Sequence, residues 1–121
     1  DALGQDPERV FKTLVTTAKS GSYYVFMIPV AETLDLKKAS VAVPEKALSM
    51  LKSKELLPLT GYVHGGCSPI GMKKTFPTVI HKTAKEFETI LFSAGKIGHQ
   101  LEVSLNDLNR AIKFSLEDII V

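Results

Sequence analysis

Polar and apolar residues alternate from about Phe11 to Ala18, and the turn-forming run "KSGS" separates them from a strongly apolar stretch, "YYVFMIPVA". An alternating strand and a strongly apolar one on either side of a glycine turn predict a β-hairpin over residues 11–30. In "TLDLKKASVAV", Leu36, Ala39 and Val43 fall at helical spacing after Thr33 or Asp35 as a cap. The stretch "PEKALSMLKSKELLPLT" is ambiguous. Its periodicity favours one helix, but Ser53 could cap a separate helix at 54–59 and leave 46–51 as a short strand.

Further along, "TGYVHGG" and "TFPTVIH" read as strands on either side of a glycine-rich loop. "TAKEFETILFSAG" opens with the capping-box pattern Thr83-x-x-Glu86 and then alternates as a strand ending at Ser93. "HQLEV" is another short strand. In "SLNDLNRAIKF", Ser104 and Asp107 occupy cap positions, with Leu105, Leu108 and Ile112 on one face. Strands and helices alternate without a regular βαβ rhythm, which predicts an α+β fold with a mixed, curved sheet.

The loop "GGCSPIGMKKT", residues 65–75, invites comparison with a nucleotide-cradling loop. Gly66 and Gly71 have the Walker spacing, but Met72 takes the lysine position and a strand follows where a helix should start. Cys67 and Ser68 raise the possibility of a nucleophile, with His64, His81 and His99 as bases; chain order does not say which of them meet. The spacing G-x-S-x-x-G is not the nucleophile elbow, and Pro69 bars a helix directly behind Ser68. The plainer reading makes Cys67 a small loop residue and Ser68 a turn former. His64 and Cys67 lack the further ligands that a metal site needs. Glycines 65, 66 and 71 let main-chain N–H groups converge on a carbonyl or anion, or else simply make a tight turn. "SAGKIG", residues 93–98, is a second loop of the same kind. Lys12 sits mid-strand on the face of Val10 and Leu14, so its ammonium either lies at a rim or meets something anionic.

Composition narrows the classes. The chain has 121 residues, 45% of them hydrophobic, enough for one domain with a real core. A net charge of +2 and a pI near 8.7 permit an anionic partner without demanding one. A single cysteine excludes an internal disulfide and fits a reducing compartment, so a cytoplasmic location is expected. No apolar run reaches the ~18 residues of a membrane span. With 7% aromatic residues, a base-stacking platform has no support.

Three stretches, "VFKTLV" (10–15), "TGYVHGGCSPIGMKK" (60–74) and "EFETILFSAGKIG" (86–98), together resemble the YbaK/EbsC group of free-standing editing enzymes. These are aminoacyl-tRNA deacylases related to the editing domain inserted in bacterial prolyl-tRNA synthetase. The resemblance spans essentially the whole chain, and the G-G-x-S-P-x-G-x-K-K segment is similar to the Cys-tRNA(Pro) deacylase branch. It implies a partly rolled mixed sheet flanked by helices, with 46–51 a strand, and a single editing domain over 1–121 that begins after the family's N-terminal segment. It also implies hydrolysis of mischarged Cys-tRNA(Pro), no cofactor, metal, membrane or DNA, and prolyl-tRNA synthetase as partner. Lys12 and Gly65 take the catalytic positions, while Thr13, Gly66, Ser68 and Ser93 bind substrate. Gln100 stands where some relatives are acidic, so no role is carried to it. The alternatives are editing of another charge such as Ala-tRNA(Pro), and a non-catalytic module that binds an RNA end.

Overall fold

The computed structural model describes residues 7–63, 66–73 and 75–121. After a 3-10 turn at Pro7–Arg9, strands β1 (Phe11–Ala18) and β2 (Tyr23–Pro29) form the hairpin that the alternation predicts. Helix α1 spans Leu36–Ala42. Asp35 caps it by accepting from the N–H groups of Lys37 and Lys38, which would otherwise lack partners in the first turn. A short strand, β3 (Leu48–Met50), and helix α2 (Ser53–Thr60) resolve the ambiguous stretch as two elements. Ser53 is the first helical residue and not the cap, a place taken by Lys52.

Strand β4 (Thr78–His81) is followed by a 3-10 turn at Lys82–Glu86, then by β5 (Ile90–Ser93) and β6 (Gln100–Val103). Helix α3 (Leu105–Ala111) starts at Ser104, whose hydroxyl accepts from Asp107 N–H, and β7 (Phe114–Glu117) completes the order. The main sheet runs β3-β1-β2-β4-β7 and is mixed: β1 pairs antiparallel with β2 and β3, while β2–β4 and β4–β7 are parallel. β5 and β6 make a separate antiparallel ribbon.

Three expectations are corrected. The described part of "TGYVHGG" is not a strand: α2 runs to Thr60, and Gly61, at φ 88°, provides the left-handed cap that ends it. The N–H of Tyr62 then goes to the Thr60 hydroxyl instead of to a ladder. His64 and Gly65 lie outside the described residues. The capping box at Thr83 does not form, because the turn is a short 3-10 segment without a side-chain cap and Thr83 Oγ1 is buried with no partner among the described residues. The alternating strand expected after it begins only at Ile90. Strand β7 carries no sequence prediction at all.

The core lies on both faces of the hairpin. Phe26 and Ile28 pack toward α1 with Leu34, Ala39 and Ile119. Met27 and Phe11 pack the other way with Ile80, Ile90, Phe92 and Leu108. Phe26, Met27, Ile28, Ile80 and Phe92 are fully buried, and each such side chain contributes about 1.5–3 kcal/mol through removal from water.

The edge of β1 opposite β2 is only partly covered. β3 pairs with it at Thr16–Ala18, and a parallel bridge from Val10 to Leu91 attaches the β5–β6 ribbon at the other end. Residues 11–14 stand between these two attachments, and a cavity opens there.

Candidate functional site

The cavity has a volume of about 320 Å³ and is lined on the β1 side by Phe11, Lys12, Thr13 and Leu14. Cys67 contributes from the glycine segment, and Ser93, Gly98, His99 and Gln100 contribute from the second loop. Val30 and Leu56 supply further apolar surface. A broader depression of about 820 Å³, between Pro69, Met72, Phe76 and the end of α3, includes Gly71 but none of Lys12, Thr13, Gly66, Ser68 or Ser93.

Lys12 is cross-strand to Ile28, and Leu14 to Phe26, so the pleat puts Lys12 and Leu14 on one face as the alternation predicts. Lys12 is half-buried, lines the cavity, and has no ion-pair or hydrogen-bond partner among the described residues. A cation in that position is available to an anionic ligand. Next to it, Thr13 Oγ1 is buried and unpartnered among the described residues. A buried hydroxyl left without a partner costs about 1–3 kcal/mol.

The second loop is built by its own backbone. Ala94 N–H donates to His99 O at 2.8 Å, and His99 N–H donates to Lys96 O at 3.1 Å. Gly95 (φ 105°) and Gly98 (φ 84°) adopt the left-handed conformations this tight return requires. Ser93 Oγ accepts from Gly95 N–H at 3.3 Å, which holds the serine at the cavity margin.

The glycine segment packs directly on this loop. A Cβ placed on Gly66 would lie 3.2 Å from Ile97 N, so a side chain there would press the two main chains apart by a few tenths of an ångström. The N–H of Gly66 donates to Val63 O at 3.0 Å and closes a turn. Ser68 is buried, and its hydroxyl accepts from Ile70 N–H at 3.2 Å. Neither Gly66 nor Ser68 lines the cavity, so both lie behind its wall, while Lys12, Thr13 and Ser93 are among its lining residues. Gly65 lies outside the described residues.

Cys67 is buried among Val15, Val25 and Leu56. Burial pushes its thiol up to about 11, a shift that the Thr60 hydroxyl opposes in part. Such a thiol is protonated at neutral pH and is a poor nucleophile. His81 is buried on β4 with its Nδ1 accepting from Ile119 N–H, and His99 lines the cavity, so His99 is the described histidine at the site. Among the described residues no three His, Cys, Asp or Glu side chains gather as metal ligands, and no helix is long and apolar enough to cross a membrane.

Sequence reading passed over Tyr62, which reaches both loops. Its hydroxyl donates to Ile70 O at 2.6 Å. Its neighbours Gly71 and Gly95 were the available signal, since two glycines at positive φ mark places where a bulky side chain has to fit.

The fold is thus a mixed α+β sheet with a small cavity at a gap in one strand edge, next to two glycine-containing loops and a lysine without a partner among the described residues. The chain belongs to the aminoacyl-tRNA editing domain family, whose sequence profile matches residues 1–111. It is 46% identical over 104 residues to an Enterococcus faecalis protein provisionally named Cys-tRNA(Pro)/Cys-tRNA(Cys) deacylase EbsC. That match covers 86% of this chain and 63% of the relative, so the chain spans under two thirds of the relative's length. A crystal structure provisionally described as a trans-editing enzyme for prolyl-tRNA synthetase is similar at TM-score 0.87 and 24% identity, covering 99% of this chain and 75% of that one. A hypothetical protein of solved structure is similar at TM-score 0.89 and 22% identity, covering 99% and 79%. These two likenesses show that the fold is shared.

Proposed function

We propose that this chain is an aminoacyl-tRNA deacylase that removes cysteine mischarged onto tRNA(Pro). The observation that carries the reading is the meeting of Lys12, Thr13 and Ser93 in one small cavity, within a chain of the editing-domain family. The Enterococcus faecalis relative is named for Cys-tRNA(Cys) as well as Cys-tRNA(Pro), and both are candidate substrates.

The scissile bond is the ester between the cysteine carboxyl and the ribose of the terminal adenosine. Lys12 ammonium holds the terminal phosphate or ribose end. Since Gly66 N–H is engaged with Val63 O, polarisation of the carbonyl falls to the amide of Gly65. Removing one such donor costs about 3–4 kcal/mol of barrier lowering.

No enzyme nucleophile is needed. The substrate thiol, with a pKa near 8.5, is a few per cent ionised at neutral pH. Its thiolate attacks the substrate's own carbonyl, the carbon–sulfur bond forms, and the ester carbon–oxygen bond breaks. The ribose oxygen leaves with a proton, and the amino acid departs as a cyclic thiolactone. Holding the two ends of one small molecule together supplies most of the acceleration. Serine in the same space carries a far weaker nucleophile. Discrimination between tRNA bodies is weak at a net charge of +2, so association with prolyl-tRNA synthetase completes the specificity.

The test is deacylation of Cys-tRNA(Pro), Cys-tRNA(Cys), Ala-tRNA(Pro) and Pro-tRNA(Pro) by this chain, with Lys12→Ala alongside. Loss of cysteine alone, abolished by Lys12→Ala, is the expected result. Loss of alanine alone redirects the reading to another editing substrate, and no loss of any charge leaves a binder of RNA ends.

A further inference from the structure

Tyr62 does not line the cavity, yet it touches both segments that wall it. Its phenolic O–H donates to Ile70 O at 2.6 Å, inside the glycine segment. Its ring lies against the second loop so closely that a Cβ on Gly95 would come 2.9 Å from its Cε1. A Cβ on Gly71 would come 3.0 Å from its hydroxyl oxygen. At both glycines φ is positive, 74° at Gly71 and 105° at Gly95, so the backbone and the tyrosine each exclude a larger residue. Tyr62 is in turn fixed from behind: its N–H donates at 3.1 Å to the buried hydroxyl of Thr60, which itself donates to Leu56 O in α2.

The tyrosine is therefore a rigid post between two loops. One loop carries Cys67, the other carries Ser93 and His99, and all three face the cavity. The only other approach of the two loops noted above is Gly66 against Ile97, a main-chain contact with no side chain to hold it.

We propose that Tyr62 is a positioning residue that sets the width of the cavity, and through that width how closely the substrate thiol is held to its own carbonyl. This rests on the deacylase reading for its substrate. A displacement of about 1 Å in a site of this kind is enough to cost a hundredfold in rate.

The experiment pairs two variants with two readouts. Tyr62→Phe keeps the ring on Gly95 and removes the bond to Ile70; Tyr62→Ala removes both. Hydrogen–deuterium exchange on the whole chain is expected to accelerate in residues 66–72 and 93–98 together in Tyr62→Ala, while 11–29 keeps wild-type protection. In Tyr62→Phe the acceleration is confined to 66–72. On Cys-tRNA(Pro), kcat is expected to fall at least tenfold in Tyr62→Ala with KM little changed, and less in Tyr62→Phe. A merely structural role would lower kcat only in proportion to the folded fraction read from thermal melts, and that result overturns the proposal. So does acceleration that spreads through the hairpin or spares either loop in Tyr62→Ala. A wild-type chain that deacylates nothing overturns the deacylase reading instead, and the exchange pattern then decides the role of Tyr62 by itself.

Discussion

Cys67 of the glycine segment and Leu56 of α2 share one buried cluster with Val15 and Val25. This packing ties α2 to the glycine segment, and it surrounds the thiol with apolar side chains. With its ionisation pushed up to about 11, Cys67 is thiolate in roughly one molecule in 3,000 at pH 7.5. Cys67→Ala is expected to keep at least half of the deacylase activity and to lose about 1 kcal/mol of stability by losing packing against Val15, Val25 and Leu56. Alkylation by iodoacetamide followed against pH is expected to stay slow until the pH nears 11. An inactive but folded Cys67→Ala protein would assign the attack to an enzyme thiol.

Lys12 makes no ion pair among the described residues, so removing its charge breaks nothing that holds the fold. Lys12→Ala is expected to shift stability by under ~0.5 kcal/mol, as surface-like substitutions do, while kcat/KM on Cys-tRNA(Pro) falls at least a hundredfold, about 2.7 kcal/mol. Lys12→Arg keeps the charge but not the point-like ammonium, and an intermediate rate is expected. Thermal melts beside the deacylation assay separate the two effects. A large drop in melting temperature with proportionate loss of activity would make Lys12 a structural residue.

The parts of this fold that were legible from sequence are those where neighbouring residues decide the outcome. The hairpin at 11–29 follows from alternation, and α1 and α3 follow from Asp35 and Ser104 at their caps. The illegible parts depend on partners far along the chain. β7 has only four residues and forms because β4 offers it a parallel edge at Thr78–His81. Tyr62 leaves the strand predicted for it because Thr60, Gly71 and Gly95 receive it. The site divides the same way. Lys12 was conspicuous as a charge in an apolar pattern, whereas the cavity beside it exists because β3 and β5 cover different ends of one strand edge, which no local pattern states. Nor could spacing reveal that Ser68 turns its oxygen to Ile70 N–H and away from the cavity.

Gly66 is the contact point between the loops, and its nearest neighbour is backbone, which cannot swing aside as a side chain would. Gly66→Ala places a methyl 3.2 Å from Ile97 N, so the second loop has to retreat by a few tenths of an ångström. Ser93, His99 and Gln100 move with it. A fall of about tenfold in kcat/KM is expected, growing to a hundredfold for Gly66→Val, with circular dichroism unchanged in both. Equal activity in Gly66→Ala and wild type would remove the close approach from the catalytic requirements.

His81 predicts how the fold responds to acid. Its side chain is 3% exposed on β4, and Nδ1 accepts from Ile119 N–H at 3.3 Å, which requires an unprotonated Nδ1. Burial lowers its pKa below the usual 6.5; Asp118, with Oδ1 3.9 Å away, and Glu32 oppose the shift, while Lys82 and Lys38 reinforce it. The unfolded chain therefore binds a proton at a pH where the folded one does not. Above 6.5 the histidine is neutral in both states and adds no pH dependence. As the pH falls from 6.5 toward the lower folded value, the unfolded state gains protons and stability is lost. Protonation also ends the bond to Ile119, whose carbonyl accepts from Asp35 N–H at the start of α1. The midpoint of urea unfolding is expected to be lower at pH 5.5 than at 7.5 in the wild type. In His81→Gln, which retains an acceptor but does not titrate, the difference is expected to shrink. Equal differences in the two proteins would place the acid sensitivity elsewhere.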